Sequence, residues 1–268
     1  MQQRRVNGYD MAYLELGQGE RPLVLIHGSL GDFRTWSSVL GLLSRRHRLI
    51  VPSLRRFFPE HWDGVGPGFT IAQHVEDIIA FLDGLGAPCD LLGHSRGGHL
   101  AFRVAQRRPD LMRRLILAEP GGDLDPSLAP AGALPLQRAH QAASAERIAA
   151  GDVDGGLAAF VDAIDGPGTW QKWTEPARQQ VRDNARTLLG QVNEQRQPYR
   201  RAEAEAIALP TLFIGGGASV GRLPQVLRAL AAHVPGAEVA IIAGGKHWMF
   251  DDDPTAFSAA VLEFLAES

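Results

Sequence analysis

Short, largely apolar strand-like runs alternate with amphipathic stretches in the first part of the chain. The strand-like runs cover 23–26, 47–51, 88–92 and 115–118, of which 23–26 is an unbroken apolar run, and the stretches between them with helical spacing cover 36–43, 70–85 and 99–107. An unbroken apolar run is typical of a strand that is buried on both faces of a parallel sheet. Strands that alternate with helices predict right-handed crossovers and an α/β fold with a mainly parallel central sheet and helices on both faces.

The alternation stops after residue 122. Between 123 and 204 the pattern predicts no convincing strand, and the candidate helices there cover 136–150, 155–164 and 175–189. Strands resume at 210–215 and 237–242, with helices at 223–234 and 254–265, and Asn7-Gly8 marks a short hairpin near the start. We therefore predict a core of residues 1–122 and 205–268, interrupted by a helical cap insertion of residues 123–204.

The most informative motif is Gly93-His94-Ser95-Arg96-Gly97, which lies between an apolar run and a helical run. A serine at the tip of a sharp strand-to-helix turn has strained backbone angles, and glycines two residues before and after it let strand and helix pass closely. The motif could also be an ordinary tight turn, since the chain has 30 glycines. With its flanking strand and helix it resembles the nucleophile elbow of the α/β-hydrolase family, which implies the α/β-hydrolase fold and Ser95 as nucleophile.

His247 is the best candidate for the base that a serine nucleophile requires. It lies in the glycine-rich turn Ala243-Gly244-Gly245-Lys246-His247 after the last predicted strand, where a side chain can reach over the sheet edge. The order of Ser95 and then His247 also matches the α/β-hydrolase order. The competing interpretation is a surface-loop histidine, and the chain has nine histidines.

The resemblance also implies an oxyanion hole. One donor would be the backbone amide of Arg96, the residue after the nucleophile, and the other that of Ser29, the residue after His27-Gly28. The competing interpretation of His27-Gly28-Ser29 is a plain turn at the exit of a strand.

The location of the acidic residue of the Ser-His-acid triad departs from the family pattern. Resembling proteins commonly carry Asp or Glu after the strand that follows the cap, but residues 214–220 contain no carboxylate here. Another location known in the fold is the end of the strand after the elbow helix, where this chain has Glu119. Glu119 is therefore predicted to orient His247, with Asp123 and Asp125 as competitors, or else the carboxylate is absent.

Several large aromatic side chains could line an apolar substrate pocket. We predict Trp170, Trp173 and Phe57 for this role. An equally good interpretation is that these residues, with Phe160, Phe58 and Trp62, pack the cap against the core.

Composition and charge narrow the possible partners. The formal net charge is −3 without a basic block, which disfavours nucleic acid and anionic membranes as partners. The single cysteine, Cys89, allows no intramolecular disulfide, and the N-terminus has no apolar segment typical of a secretory signal. We expect a cytoplasmic protein, a monomer or homodimer, with no metal and no cofactor.

These features together predict a serine hydrolase that acts on small to medium apolar carboxylic esters or lactones. One alternative is a carbon–carbon bond hydrolase, which the resemblance allows because it uses the same triad. The other is a small-molecule receptor that has kept the elbow without turnover.

Overall fold

One eight-stranded sheet forms the centre of the computed structural model, which describes residues 1–129 and 138–266. The strand order is β1-β2-β4-β3-β5-β6-β7-β8, and the strands from β3 onward are mutually parallel, whereas β1 and β2 pair antiparallel. The strands are β1 (Gln2–Val6), β2 (Tyr9–Leu16), β3 (Pro22–Ile26), β4 (Arg48–Pro52), β5 (Cys89–His94), β6 (Met112–Ala118), β7 (Thr211–Gly216) and β8 (Glu238–Ile242). The predicted α/β class with a mainly parallel sheet is confirmed.

Helices cover both faces of the sheet and fill the interval between β6 and β7. In chain order they are α1 (Ser37–Leu43), α2 (Ile71–Asp83), α3 (Arg96–Arg107), α4 (Arg138–Ala149), α5 (Val153–Asp165), α6 (Thr169–Lys172), α7 (Glu175–Asp183), α8 (Thr187–Gln191), α9 (Arg201–Glu205), α10 (Leu223–Ala231), α11 (Met249–Asp252) and α12 (Pro254–Ala266). Helices α2, α3 and α10 share one apolar cluster with the sheet, and α1, α11 and α12 share the other.

The central strands β3 and β5 are buried along their whole length, and because successive residues of a strand point to opposite sides, both of their faces are covered. On β5, Leu91 joins the cluster of α2, α3 and α10, and the next residue, Leu92, joins the opposite cluster. Both side chains are fully buried. This is the physical reason that a central strand such as β3 appears in the sequence as an unbroken apolar run.

The interval between β6 and β7 contains helices α4 to α9 and, in its described part, one isolated bridge between Leu124 and Tyr199. Its helices have an apolar cluster of their own, which also takes in Leu30 of the core. We call residues 138–205 the cap. The predicted helix 136–150 corresponds to α4, although residues 136 and 137 lie outside the described residues.

The predicted helix 175–189 is interrupted in the structure. Helix α7 ends at Asp183, and α8 begins at Thr187. Asn184, between them, accepts a hydrogen bond from the Phe58 backbone at 2.8 Å and donates one to Asp32 at 2.7 Å. These two contacts with core loops tie the cap to the core at the point where the helix breaks.

The described helices include none whose length and apolar character would let it cross a bilayer.

Candidate active site

Ser95 occupies a sharp turn between β5 and α3, as the motif predicts. Its φ angle is +52°, a left-handed value that non-glycine residues adopt rarely. The turn is held by the Ser95 N–H, which donates to the Ala118 carbonyl at 3.0 Å, and by the Ser95 carbonyl, which accepts from Gly121 at 2.8 Å. A Cβ on Gly97 would collide with the carbonyl oxygens of Ile26 and His27, so this helix can approach β3 only with glycine there.

His247 and Glu119 form a buried hydrogen-bonded pair. The His247 Nδ1–H donates to Glu119 Oε2 at 2.8 Å, and the Gly216 N–H donates to the other carboxylate oxygen at 3.0 Å. Burial by itself would raise the pKa of Glu119, but the hydrogen bond and the charge of His247 together hold that pKa below its usual value. Glu119 is therefore ionised, and its bond to Nδ1 leaves Nε2 as the basic nitrogen of the imidazole.

The backbone of His247 is held from two sides. Its N–H donates to Asp165 Oδ1 at 3.1 Å, and its carbonyl accepts from His94 Nε2 at 2.9 Å. Asp165 is the last residue of α5 in the cap, and its own carbonyl accepts from Lys246 Nζ at 2.5 Å. The cap thus holds the loop that carries His247, a contact for which the sequence offers no signal.

The loop predicted to supply an oxyanion donor lies next to Ser95. A Cβ built on Gly28 would be 3.0 Å from the Ser95 Cβ, so the absence of a side chain lets this loop approach Ser95. Ser29 lines the same cavity as Ser95. Its hydroxyl donates to Gln191 Oε1 at 2.6 Å, which links this loop to the cap.

The side chain of Arg96, at the start of α3, belongs to a buried charged group. Its guanidinium is buried and forms an ion pair with Glu194, and it donates to His74 Nδ1 at 2.7 Å. Glu194 also pairs with Arg196 at 3.2 Å. This charged group beneath the cap was not predicted, because nothing in the sequence relates Arg96 to residues 194 and 196.

A cavity of about 200 Å³ lies between the sheet edge and the cap, and both Ser95 and His247 line it. Part of its wall is apolar, and part is polar. The apolar part comes from Ala142, Phe160, Ile164, Val192 and Leu223. The polar part comes from Ser29, Asp123, Gln141, Gln191, Glu194, Arg196 and Arg222.

The three aromatic residues predicted for the pocket are not among the described residues that line this cavity. Phe57 is fully buried in the core against His27, at 4.7 Å between ring centroids. Trp170 packs inside the cap, and Trp173 lies against Trp248 at 4.9 Å. These large rings fill the cores of the cap and the sheet, and Phe160 lines the cavity instead.

The competing carboxylates do not contact His247. Asp123 forms an ion pair with Arg222, and Asp125 accepts hydrogen bonds from Ser127. Within residues 1–129 and 138–266, no group of three or more His, Cys, Asp or Glu side chains is arranged to hold a metal ion.

Residues 23–260 match the model of the alpha/beta hydrolase family. The chain belongs to this family. It is 25% identical to an sn-1-specific diacylglycerol lipase from Mus musculus over 264 residues, which cover 91% of this chain and 80% of the lipase.

Solved structures of other α/β hydrolases share the fold over nearly the whole chain. The esterase RhEst1 from Rhodococcus sp. ECU1013 has a TM-score of 0.79 at 21% identity and covers 100% of this chain and 99% of its own. The enol-lactonase from Burkholderia xenovorans LB400 has a TM-score of 0.78 at 21% identity, with coverages of 99% and 100%. At these identities the similarity establishes the fold and not the substrate.

Proposed function

We propose that this α/β hydrolase cleaves carboxylic esters or lactones through an acyl-enzyme on Ser95. The observation that carries the proposal is the hydrogen bond between His247 and Glu119 at the cavity that also contains Ser95. An imidazole held in this tautomer, close to a strained serine, is the arrangement that makes a hydroxyl nucleophilic. The esterase, lipase and enol-lactonase among the similar proteins agree with this reaction class.

The reaction proceeds in two steps, acylation of Ser95 and hydrolysis of the acyl-enzyme. In the first, His247 Nε2 takes the Ser95 proton as Oγ attacks the ester carbonyl, and then gives that proton to the leaving alkoxide as the alcohol departs. In the second, His247 Nε2 takes a proton from a water that attacks the acyl-enzyme, and then gives that proton to Ser95 Oγ as the acyl–Oγ bond breaks and the acid leaves. The backbone amides of Arg96 and Ser29 stabilise the oxyanion in both steps, and Glu119 stabilises the imidazolium.

Serine-directed labelling combined with a panel of esters tests this proposal. A fluorophosphonate should label Ser95, and the Ser95→Ala variant should lose labelling and about 10⁴-fold or more of its kcat while its thermal unfolding stays cooperative. Ser44→Ala, at the end of α1, is the matched control and should keep both properties. Hydrolysis retained in Ser95→Ala, or binding of esters without any turnover by the unmodified protein, would overturn the proposal.

A further inference from the structure

Three of the polar residues that line the active-site cavity, Gln191, Glu194 and Arg196, lie close together in the cap. Gln191 is the last residue of α8, and the other two follow it closely. Gln191 Oε1 accepts from the Ser29 hydroxyl at 2.6 Å and from Arg196 Nη2 at 3.4 Å. The group therefore lies beside the loop that is expected to bind the oxyanion.

Two guanidiniums share one carboxylate in this group. Arg96 and Arg196 both contact Glu194, whose side chain is fully buried, and no other ion pair of either arginine occurs within the described residues. The nearby Arg222 adds no uncompensated charge, because it pairs with Asp123. Arg196 is thus a cavity-lining cation whose charge is only partly neutralised.

A second and independent observation concerns Gln191. This residue is 3% exposed and lines the cavity, yet its Nε2 has no hydrogen-bond partner among the described residues. A buried donor without an acceptor carries a desolvation cost. An unpartnered buried amide that faces a cavity therefore indicates a ligand that accepts its hydrogen bond. The Gln191 and Glu194 side-chain oxygens already accept hydrogen bonds from Ser29 and the two arginines, so this part of the cavity offers donors to a ligand.

We propose that Arg196 and Gln191 bind a carboxylate of the substrate, so that the preferred substrates are half-esters of dicarboxylic acids or lactones that carry a free carboxylate. A carboxylate brings one negative charge and several lone pairs, which match the surplus positive charge and the unpartnered amide. The apolar residues Phe160, Ile164 and Val192 would face the carbon chain between that carboxylate and the ester. This inference rests on the proposed ester hydrolysis, and it replaces the apolar substrate favoured by the sequence.

The charges around the buried Arg96 guanidinium agree with this surplus of positive charge. Burial lowers the pKa of Arg96, the nearby Glu194 raises it, and the positive charge of Arg196 lowers it again. An anion bound to Arg196 would relieve that repulsion, which is a reason for the subsite to favour a charged over a neutral ligand.

The test compares substrates of equal chain length with and without the carboxylate. We expect the unmodified enzyme to hydrolyse monoethyl glutarate and monoethyl adipate with at least about tenfold higher kcat/KM than ethyl pentanoate and ethyl hexanoate, mainly through a lower KM. In Arg196→Gln the ratio between the two substrate types should fall towards one. Arg196→Lys should keep part of the ratio, since it retains the charge but loses the planar fork.

Arg147→Gln is the matched control. Arg147 is a half-exposed cap residue paired with Asp152, so this substitution removes the same charge away from the cavity and should keep the ratio. Thermal unfolding of each variant identifies any loss that comes from misfolding. A ratio near one in the unmodified enzyme, or a ratio that Arg196→Gln leaves unchanged, would overturn the inference.

A binding measurement separates this inference from the proposed function. Calorimetry with glutarate on Ser95→Ala should show binding that is at least about tenfold weaker when Arg196→Gln is added. Glutarate binding without hydrolysis of any ester would overturn the proposed function and leave the carboxylate site standing. Hydrolysis of neutral esters without glutarate binding would do the reverse.

Discussion

The two sides of the active-site cavity are built in different ways. On the core side, Ser95, Glu119 and His247 each follow a strand of one sheet, and backbone hydrogen bonds fix their positions. On the cap side, Gln191 ends the short helix α8 and Arg196 follows it, and both are held by contacts between side chains. A rigid sheet edge suits groups that must be placed accurately for bond cleavage, whereas a helical insertion can vary without disturbing them. We infer that the core side performs the chemistry and the cap side selects the substrate.

The largest expected effect comes from the carboxylate on the core side. Glu119→Gln should lower kcat by about 10³- to 10⁴-fold, because an amide neither stabilises the imidazolium nor enforces the Nδ1–H tautomer. Steady-state kinetics with any hydrolysed ester provide the measurement. Asp123→Asn is the matched control and should cost about tenfold at most, since Asp123 pairs with Arg222 and not with His247. A larger loss in Asp123→Asn than in Glu119→Gln would transfer the role to Asp123.

Acid should destabilise the folded protein through four buried histidines of the core. Burial lowers the pKa of His27 to about 4 and holds those of His74, His94 and His99 well below the usual range, and all four lie in the core. An unfolded histidine takes up a proton below about 6.5, whereas His27 stays neutral down to about 4 in the folded state. The contribution of the neutral buried histidines to the free energy of unfolding is therefore fully present above about pH 6.5 and is lost as the pH drops from there, by about 3 kcal/mol for His27 alone at pH 4.

Urea unfolding at several pH values between 7 and 4.5 measures this loss. The exposed His61 provides the control, and His61→Gln should keep the pH dependence of the unmodified protein. A free energy of unfolding that does not change over this range would contradict the neutral state of the buried histidines.

A moderate effect is expected where the cap holds the core. Asp165→Ala removes the acceptor of the His247 N–H and should lower kcat by about 10- to 100-fold, because small displacements of a catalytic base are costly. Asp165→Asn keeps an oxygen in the same place and should recover most of the activity. Equal losses in both variants would mean that the charge of Asp165 matters and not the hydrogen bond.

The sequence is informative about the core side because local chemistry determines it. The run 115–118 is apolar since both faces of β6 are buried, and the glycines around Ser95 are required by the close approach of α3 to β3. The resemblance implies Glu119 as a candidate because the end of the strand after the elbow helix is a known location of the acid in the fold, and a parallel sheet brings its strand ends to one edge. The structure places Glu119 against His247, although the family pattern favoured another strand.

The cap side could not be predicted because its contacts join residues far apart in sequence. Asp165 meets His247 across 82 residues, and Arg96 meets Glu194 across 98, with no periodicity that relates them. The break at Asn184 depends on core loops that a local helical pattern does not include. From the sequence, a large aromatic side chain in a cap is equally suited to line a substrate pocket or to pack within the cap. Only its neighbours in the structure distinguish the two.

The smallest expected effect distinguishes those two roles for cap aromatics. Trp173 lies against Trp248 outside the cavity lining, so Trp173→Leu should lower the free energy of unfolding by about 1 kcal/mol, the value of an aromatic pair. The relative kcat/KM of the Trp173→Leu variant for esters of different acyl chain length should stay within about twofold of that of the unmodified enzyme. Phe160 lines the cavity, and Phe160→Leu should shift that preference toward longer chains because it removes volume from the apolar wall. Chain-length profiles and thermal unfolding of both variants provide the measurement. A shift in Trp173→Leu as large as that in Phe160→Leu would restore Trp173 to the substrate pocket predicted from the sequence.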